Sequence, residues 1–270
     1  MEPEPAFGAD LYRGTAPYYD RYRPAYPDTL FDDLCERLPV SGAGALLDLA
    51  CGTGQVAMPL AGRFARVVAV DQEAESVAFG RAKAEAAGHV GIEWITGAAE
   101  TVELDAGFEL VSVGTAFHRL DRPVVAARMF SWLQPGGGAA LLWSDAPSQG
   151  SAAWQAALTD LITTWMARVG TTERIPAGWS EAMHRLPHEA VLTSAGFEYA
   201  GKFTFAREER WTRATLAGYL YSTSILNRNA LGGYAADVER DLALLVDAYG
   251  AGGAVMADAG YSYELARKPR

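Results

Sequence analysis

The most constraining feature of the sequence is a glycine turn, Ala50-Cys51-Gly52-Thr53-Gly54, which follows the apolar run ALLDLA at 45–50. Glycine has no Cβ, so the backbone N–H groups of such a turn can approach a ligand closely. A glycine turn between a strand and a helix is typical of α/β sheets that bind nucleotide-like ligands. The turn therefore predicts a parallel sheet with a ligand site at the end of its first strand.

Short apolar runs alternate with helical stretches between about residues 45 and 145. This alternation is the pattern of strand, crossover helix and parallel strand, and it predicts a doubly wound α/β core. Helices are expected at 73–87, before Gly88, and at 122–133, before a stop rich in proline and glycine. The strands are expected at 45–50, 66–71, 91–97, 108–116 and 139–144.

The second half of the chain is expected to complete this sheet. Residues 147–192 have a mostly helical pattern and are interpreted as a cap inserted between the fifth and sixth strands. Because no linker divides the chain, we expect one domain over 1–270 with an N-terminal lid at 1–40. The remaining elements are expected to be a strand at 197–211, helices within 216–249 and a seventh strand at 260–268.

Charge and composition exclude several classes of function. The net charge of -10 argues against nucleic acid and anionic membranes as partners, because both attract clustered Lys and Arg. The only two cysteines are Cys35 and Cys51, and a disulfide at Cys51 would obstruct the glycine turn. The first ten residues hold acids and prolines, and no apolar run approaches ~18 residues. We therefore expect a cytoplasmic protein without a signal peptide or a membrane span.

A carboxylate follows the second predicted strand. Asp71 stands 19 residues after Gly52, and its two oxygens can accept both hydroxyls of a ribose. Gly52, Gly54 and Ala57 also satisfy the G-x-G-x-x-A dinucleotide fingerprint, so the turn alone leaves a nicotinamide cofactor open. About 45 residues rich in Tyr, Arg and Pro precede the first strand, unlike most dinucleotide domains, and are expected to fold over the site.

Several segments resemble class I S-adenosylmethionine-dependent methyltransferases, in that family's order and over nearly the whole chain. ALLDLACGTGQ resembles their motif I and VVAVDQ their motif II. YDRYRPAYP (19–27) is similar to the YxxYRPxYP leader of a small-molecule and ubiquinone-type (methyltransferase type 11-like) subgroup. Further similar segments are GAAE (97–100), FELVSVGTAFHRLDR (108–122), LQPGGGAALLW (133–143) and WTRATLAGYLYSTS (211–224).

The resemblance implies a Rossmann-like, seven-stranded sheet with an antiparallel last strand, and S-adenosylmethionine as cofactor. In the family's pattern, Gly52 and Gly54 lie under the methionine part, Asp71 binds the ribose and Gln72 flanks the adenine. Arg23 is expected to pair with the cofactor's carboxylate, a surface ion pair being the alternative. The family often has an acid at the position of Ala98, so Glu100 or backbone would meet the adenine amino group here. The implied cofactor residues are Tyr19, Arg23, Asp48, Ala50, Gly52, Gly54, Asp71, Gln72, Ala99, Glu100 and Thr115.

The fourth predicted strand ends in Gly114-Thr115-Ala116-Phe117-His118, where an open α/β sheet binds its ligands. Phe117 and His118 are expected to face the transferred methyl group. His118 is the candidate general base, and a pocket wall that only orients the substrate is the alternative. The subgroup commonly has Trp where this chain has Arg119. The candidate acceptor residues are Tyr18, Phe117, Arg119, Trp154, Trp165 and Trp179, although each aromatic residue alone is more often core.

The leading hypothesis is methyl transfer to a nitrogen or oxygen of a small molecule, such as a specialised metabolite of antibiotic biosynthesis. The alternatives are a nicotinamide-dependent oxidoreductase and a protein that binds S-adenosylmethionine without transferring its methyl group. No metal is expected, because Pro187 separates His184 from His188 and no set of carboxylates accompanies them. A homo-oligomer is left open.

Overall fold

A seven-stranded sheet forms the centre of the protein in the computed structural model, which describes residues 7–8, 11–38 and 40–270. The strands follow the apolar runs of the sequence, because the side chains of these runs are buried on both faces of the sheet. They are β1 (Ala45–Leu49), β2 (Arg66–Asp71), β3 (Ile92–Thr96), β4 (Phe108–Gly114), β5 (Leu133–Ser144), β6 (Glu198–Thr212) and β7 (Ala254–Arg267).

Eleven α-helices surround the sheet in this described part of the chain. They are α1 (Ala16–Tyr22), α2 (Asp28–Arg37), α3 (Ala57–Leu60), α4 (Ala74–Ala86), α5 (Arg122–Trp132), α6 (Ala153–Val169), α7 (Trp179–Arg185), α8 (His188–Ser194), α9 (Arg213–Tyr221), α10 (Arg228–Leu231) and α11 (Ala235–Tyr249). None of these described helices is long and apolar enough to cross a membrane.

The strand order is β3-β2-β1-β4-β5-β7-β6. β1 to β5 are parallel, whereas β7 runs antiparallel to both β5 and β6. This arrangement confirms the predicted doubly wound, Rossmann-like sheet with an antiparallel last strand. The order reverses between β1 and β4, and ligands of open α/β sheets bind outside the carboxyl ends of the strands at such a reversal. The fold therefore places a ligand crevice at the ends of β1 and β4.

Alternate residues of each strand supply the two faces of the core, as strand geometry requires. Leu46 and Leu110 pack with the apolar side of α2 on one face, while Leu47 and Val111 pack with α5 and α8 on the other. A third apolar cluster joins α6, α9 and α11 to the outer half of the β6–β7 hairpin. Residues 147–192, interpreted as one cap, thus pack in different places: α6 belongs to the third cluster, α8 packs beside α5, and α7 lies near the carboxyl ends of the strands.

Two predicted boundaries are wrong. β5 begins at Leu133 and not at residue 139, because Leu133 already pairs with Phe108 and the glycines continue the ladder after a bulge. β7 begins at Ala254 and not at residue 260, because residues 254–259 already pair with residues 207–212 of β6.

The N-terminal segment has two different roles. Leu30, Phe31 and Leu34 of α2 are fully buried against the sheet, so α2 is part of the core. α1 packs against α9 and α4, above the carboxyl ends of the strands. Of the predicted lid at 1–40, the described residues before 24 lie over the strand ends, whereas α2 is part of the core. Residues 1–6, 9–10 and 39 of that prediction lie outside the described residues.

Candidate active site

A cavity of about 920 Å³ opens at the carboxyl ends of β1 to β4. The residues after β1 and β2 supply one side, the loop at 97–100 after β3 supplies a second, and Thr115 and Ala116 supply the end of β4. This is the position that the reversal of strand order predicts. The cavity contains most of the implied cofactor residues, namely Tyr19, Ala50, Gly52, Asp71, Gln72, Ala99, Glu100 and Thr115.

Two neighbouring strands end in a strained residue. Ala50 after β1 has φ 49° and Thr115 after β4 has φ 51°, and they are the only described residues other than glycine with positive φ. This left-handed conformation is uncommon for a residue with a Cβ and persists where the surroundings enforce it. Both residues line the cavity, so the strained backbone lies where a ligand would be held.

The two motif glycines do different things. A Cβ on Gly52, which lines the cavity at φ 54°, would meet no protein atom within 4 Å. A Cβ on Gly54 would lie 2.7 Å from Cη2 of Trp94 and 3.2 Å from Cγ of Met58. Gly52 thus leaves space for a ligand, whereas Gly54 lets the back of the turn pack on Trp94. Gly54 does not line the cavity, and its placement under the cofactor stays a prediction.

Asp71 connects the turn to β2. Its Oδ2 accepts the backbone N–H of Gly52 and its Oδ1 accepts that of Glu73, both at 2.8 Å. Burial raises the pKa of Asp71 above its ordinary value, against the opposing effect of these two donors. Each carboxylate oxygen has a further lone pair, so Asp71 can also accept a hydroxyl from the cavity. Its assignment to the ribose stays a prediction.

The side of the cavity beside β3 is formed by backbone and one acid. Ala99 is buried, and Oε1 of Glu100 accepts the backbone N–H of Asp121 at 3.1 Å. Gln72 lines the same cavity from the end of β2. These residues form a narrow, mostly apolar wall beside Asp71, which suits a flat ring next to a ribose. Their assignment to the adenine also stays a prediction.

Arg23 joins the N-terminal segment to α9. Its Nε donates to Oγ of Ser222 at 2.8 Å and its Nη1 donates to Oη of Tyr219 at 3.0 Å. Its guanidinium carbon also lies 5.0 Å from the ring centroid of Tyr19. Arg23 does not line the cavity, and two of its five N–H donors bond to Tyr219 and Ser222. Its pairing with the cofactor's carboxylate stays a prediction.

Asp48 lies beneath the glycine turn. Its Oδ2 accepts the N–H of Ala57 at 3.1 Å, and its Oδ1 accepts the hydroxyl of Ser112 at 2.8 Å. Burial is the main cause that raises the pKa of Asp48 to about 7. Asp48 is outside the lining of this cavity, and its assignment to the cofactor stays a prediction. It holds the start of α3 against β4.

His118 is in a 3₁₀ turn that directly follows β4. Its ring lies edge-on to Trp143 and Trp179, at centroid distances of 5.0 and 5.6 Å. Burial, together with nearby Arg119, lowers the pKa of His118 to about 3. The turn directs Ala116 and Arg119 to the cavity, while His118 and Phe117 lie outside its lining. The expectation that these two side chains face the methyl group stays a prediction that this placement does not favour.

Two of the remaining aromatic candidates belong to the core, whereas Tyr18 and Trp179 are half-buried. Nε1 of Trp154 donates to the carbonyl of Met256, and Nε1 of Trp165 donates to Oδ2 of Asp241. Both tryptophans are buried in the third apolar cluster, against which Tyr18 also packs. Nε1 of Trp179 donates to the carbonyl of His118 at 3.2 Å, behind the cavity wall. Of the six predicted acceptor residues, which are Tyr18, Phe117, Arg119, Trp154, Trp165 and Trp179, the cavity contains Arg119 alone.

The two spaced histidines lie on separate helices. Nδ1 of His184 on α7 contacts the carbonyl of Ser180, and Nδ1 of His188 on α8 contacts Oε1 of Glu264 at 3.3 Å. Within the described residues, no group of three His, Cys, Asp or Glu side chains could hold a metal ion.

Comparison with known proteins agrees with this geometry. A family profile described as a methyltransferase domain matches residues 46–137. An uncharacterized methyltransferase of Mycobacterium tuberculosis H37Rv is 30% identical over 154 residues, which are 56% of this chain and 73% of that protein. This chain is a class I S-adenosylmethionine-dependent methyltransferase. The methyltransferase is also 32% identical over 164 residues to the ubiquinone/menaquinone biosynthesis C-methyltransferase UbiE of Rubrivivax gelatinosus, covering 57% of this chain and 62% of UbiE.

Solved structures show the same fold. A candidate type II methyltransferase from Anaeromyxobacter dehalogenans superposes on this methyltransferase with a TM-score of 0.65 at 23% identity, covering 92% of this chain and 100% of the other. The family relation decides between the two cofactors that the glycine turn alone admits. S-adenosylmethionine is the methyl donor, as the sequence predicted.

The residues of the methyltransferase fit this cofactor. The space above Gly52, the acceptor atoms of Asp71 and the apolar wall at 97–100 together suit a nucleoside with a short polar chain. Sequence reasoning found Arg119 in the other half of the cavity but missed most of its walls, because only the segment that ends at residue 122 marks them. Its walls are Phe7, Gly8, Leu11, Tyr12 and Thr15 of the N-terminal segment, Leu120, Asp121, Pro123 and Val124 around the start of α5, and Ala182, Arg185 and Leu186 at α7.

Proposed function

We propose that the methyltransferase transfers the methyl group to a nitrogen or oxygen atom of a small molecule. The observation that carries the proposal is the continuity of the cavity. One end lies over the strand ends that carry Gly52 and Asp71, and the other end lies between the N-terminal segment, the start of α5 and α7. The second end adjoins Thr115 and Ala116, so an acceptor there would lie beside the cofactor.

The size of the cavity supports a small acceptor. Pockets for small ligands commonly measure roughly 300 to 1,000 Å³. The cavity of about 920 Å³ is near the upper end of that range and has room for the cofactor and one compact molecule. The N-terminal segment covers it on one side and α7 on another, which leaves little access for a folded protein or a nucleic acid. The net charge of -10 also disfavours nucleic acid.

The chain contributes alignment and the exclusion of water. When bound, S-adenosylmethionine supplies a methyl group on a positively charged sulfur, and the positive charge disperses as that group is displaced. Leu11, Leu120 and Leu186 contribute apolar wall to the acceptor end, beside the charged Arg119, Asp121 and Arg185, and this apolar wall helps to hold water away from the reacting atoms. Fixing two reactants at the correct distance and angle supplies much of the acceleration in such a displacement.

The titratable residues of the cavity favour nitrogen or oxygen as the acceptor atom. No His, Cys or Lys is among its described lining residues. Of its four carboxylates, those of Asp71, Glu100 and Asp121 accept backbone N–H groups, and Glu73 is the fourth. A carbon acceptor that no ionised oxygen activates requires removal of a tightly held proton by a base. An unprotonated amine or an ionised oxygen already has a free lone pair, and so it needs no such base.

The proposal also concerns the cellular compartment and the kind of metabolism. We propose a cytoplasmic enzyme of specialised metabolism, such as antibiotic biosynthesis, because its acceptor chamber is built by segments outside the shared sheet. The described structure holds Cys35 and Cys51 as free thiols, which suits a reducing compartment.

Labelled methyl transfer tests the proposal. The purified protein is incubated with S-adenosylmethionine carrying an isotope-labelled methyl group and with a fractionated extract of small molecules, and the products are analysed by mass spectrometry and NMR. We expect the label on nitrogen or oxygen of a small molecule. Label found only on carbon, only on macromolecules, or on no acceptor although S-adenosylhomocysteine binds, would contradict the proposal.

A further inference from the structure

We propose that Arg119 binds a carboxylate of the methyl acceptor, which makes the acceptor an apolar carboxylic acid with a nitrogen or oxygen nucleophile. This inference rests on the proposed methyl transfer to a small molecule. It concerns the half of the cavity that the cofactor motifs do not reach, where Arg119 replaces the Trp that the subgroup commonly carries.

Arg119 lies beside the expected reaction centre. It ends the 3₁₀ turn after β4 and lines the cavity together with Thr115 and Ala116. Its guanidinium carbon is 4.6 Å from the ring centroid of Phe7 and 5.1 Å from that of Tyr12. The two rings hold the planar group in place and shield it from water, as arginine stacking on aromatic rings does.

The hydrogen bonds of this guanidinium are incomplete. Nη2 donates to Oγ of Ser224 at 3.2 Å, whereas Nε and Nη1 are enclosed and have no partner among the residues that the structure describes. A guanidinium has five N–H donors, and buried donors in folded proteins nearly always find acceptors. A ligand with two acceptor oxygens would complete the set of hydrogen bonds, once the rings of Phe7 and Tyr12 move aside and expose Nε and Nη1.

Four carboxylates line the described cavity, those of Asp71, Glu73, Glu100 and Asp121, and the carboxylates of Asp71, Glu100 and Asp121 accept backbone N–H groups. Asp71 accepts the N–H groups of Gly52 and Glu73, and Glu100 accepts that of Asp121. Oδ1 of Asp121 accepts the N–H of Val124 at 3.3 Å. Arg119 forms no ion pair with any described acid, so the counter-charge is left for a ligand to supply.

The chemistry of the surroundings points to a carboxylate on an apolar body. The planar fork of arginine matches the two oxygens of a carboxylate, which it binds through parallel hydrogen bonds. The neighbouring walls are apolar at Leu11, Leu120 and Leu186, so the rest of the molecule would be an aromatic ring or an aliphatic chain.

The cofactor contains a carboxylate of its own, in its methionine part. In the strand order β3-β2-β1-β4, the loop at 97–100 that is expected to hold the adenine follows β3, Asp71 ends β2 and the glycine turn follows β1. Arg119 follows β4, one strand beyond that turn, and neighbouring strands are about 4.8 Å apart. The order of the strands therefore assigns Arg119 to the acceptor and not to the cofactor, and the experiment separates the two carboxylates.

The test measures ligand binding to the protein saturated with S-adenosylhomocysteine, by isothermal titration calorimetry. The probes are phenylacetate, 3-phenylpropionate and hexanoate, each paired with its neutral amide, together with phenyl phosphate. The variants are Arg119→Gln, Arg119→Lys and the control Arg240→Gln, which removes an exposed arginine of α11.

For the wild type and for Arg240→Gln, we expect at least one carboxylate to bind about tenfold or more tightly than its amide. Arg119→Gln should abolish that preference, and Arg119→Lys should restore only part of it, because lysine has no planar fork. The proposal is overturned if no carboxylate is preferred over its amide, if Arg119→Gln retains the preference, or if phenyl phosphate alone is bound tightly.

Affinity for S-adenosylhomocysteine, measured on the same variants, separates the two sources. Arg119→Gln should leave that affinity within about threefold of the wild type, because the site should not touch the cofactor. A loss of tenfold or more assigns the guanidinium to the cofactor's carboxylate and overturns the proposal. If carboxylates are preferred while no labelled methyl reaches any acceptor, the transfer to a small molecule fails and the assignment of Arg119 stands.

Discussion

At the scale of single residues, the site depends on a few backbone contacts that the motif letters do not show. Asp71 holds Gly52 and Glu73 by their N–H groups, and it borders the cavity with the remaining lone pairs of its carboxylate. One side chain therefore sets the shape of the turn and offers acceptors to a ligand. Loss of the carboxylate should affect both.

We predict that Asp71→Ala weakens S-adenosylhomocysteine binding by ~2 kcal/mol or more, as expected for the loss of charge-assisted hydrogen bonds. Isothermal titration calorimetry measures the change, with Asp237→Ala on the exposed side of α11 as control. An affinity equal to that of the wild type would refute the ribose assignment.

The two glycines of the turn give a matched pair. Gly54→Ala should lower the free energy of unfolding by about 1 to 3 kcal/mol, because its Cβ would overlap Trp94 in the core. Gly52→Ala should cost only the strain of a positive φ, about 1 kcal/mol, but should weaken S-adenosylhomocysteine binding by filling ligand space. Urea unfolding and calorimetry measure the two effects. The opposite ranking of the variants would show that the cofactor does not lie over Gly52.

Asp48 should make stability depend on pH. Its folded pKa of about 7 is above the value near 3.8 of an exposed Asp, so the folded protein binds the proton more tightly. The stabilising effect of that proton is complete below the unfolded pKa and is lost as pH rises through 7. Asp48→Asn should therefore flatten the fall in unfolding free energy between pH 5 and 8. The measurement is urea unfolding across that range, and an equal slope in both proteins would disprove the effect.

At the scale of elements, the boundaries that sequence reasoning found are those set by burial. β1, β2 and β4 are continuous apolar runs because both faces of the sheet are covered, and this pattern is visible in the letters. The early start of β5 was not visible, because proline and glycine suggest a turn and only the ladder to β4 extends the strand. Similarly, the short 3₁₀ turn after β4 directs Arg119, and not His118, to the cavity. The sequence pattern of three residues does not indicate how such a turn is oriented.

The clamp between α1 and α9 yields a prediction at this scale. Arg23→Gln should loosen α1, because it removes the hydrogen bonds to Tyr219 and Ser222. We expect faster amide hydrogen exchange over residues 11–23 and weaker S-adenosylhomocysteine binding, with the sheet unaffected. Arg21→Gln in the last turn of α1, at an exposed position two residues before Arg23, is the matched control. Equal exchange in both variants would show that Arg23 does not hold the segment.

At the scale of the whole molecule, the sheet and the cofactor end of the cavity could be predicted, because consecutive strands place their motifs at one edge. The acceptor end could not. It joins the N-terminal segment, the start of α5 and α7, which are far apart in sequence and share no repeated pattern. Trp154 and Trp165 show the same limit, because the sequence does not distinguish a tryptophan that lines a ligand site from one buried in the third apolar cluster.

The central claim is that one cavity holds the cofactor over β1 to β3 and leaves room for an acceptor beside β4. A crystal structure of the complex with S-adenosylhomocysteine tests it most directly. We predict ribose hydroxyls within about 3.2 Å of the Asp71 carboxylate, the adenine against the loop at 97–100, and open space between the sulfur and Arg119. A ribose held by other residues, or a cofactor that fills the space beside Arg119, would contradict it.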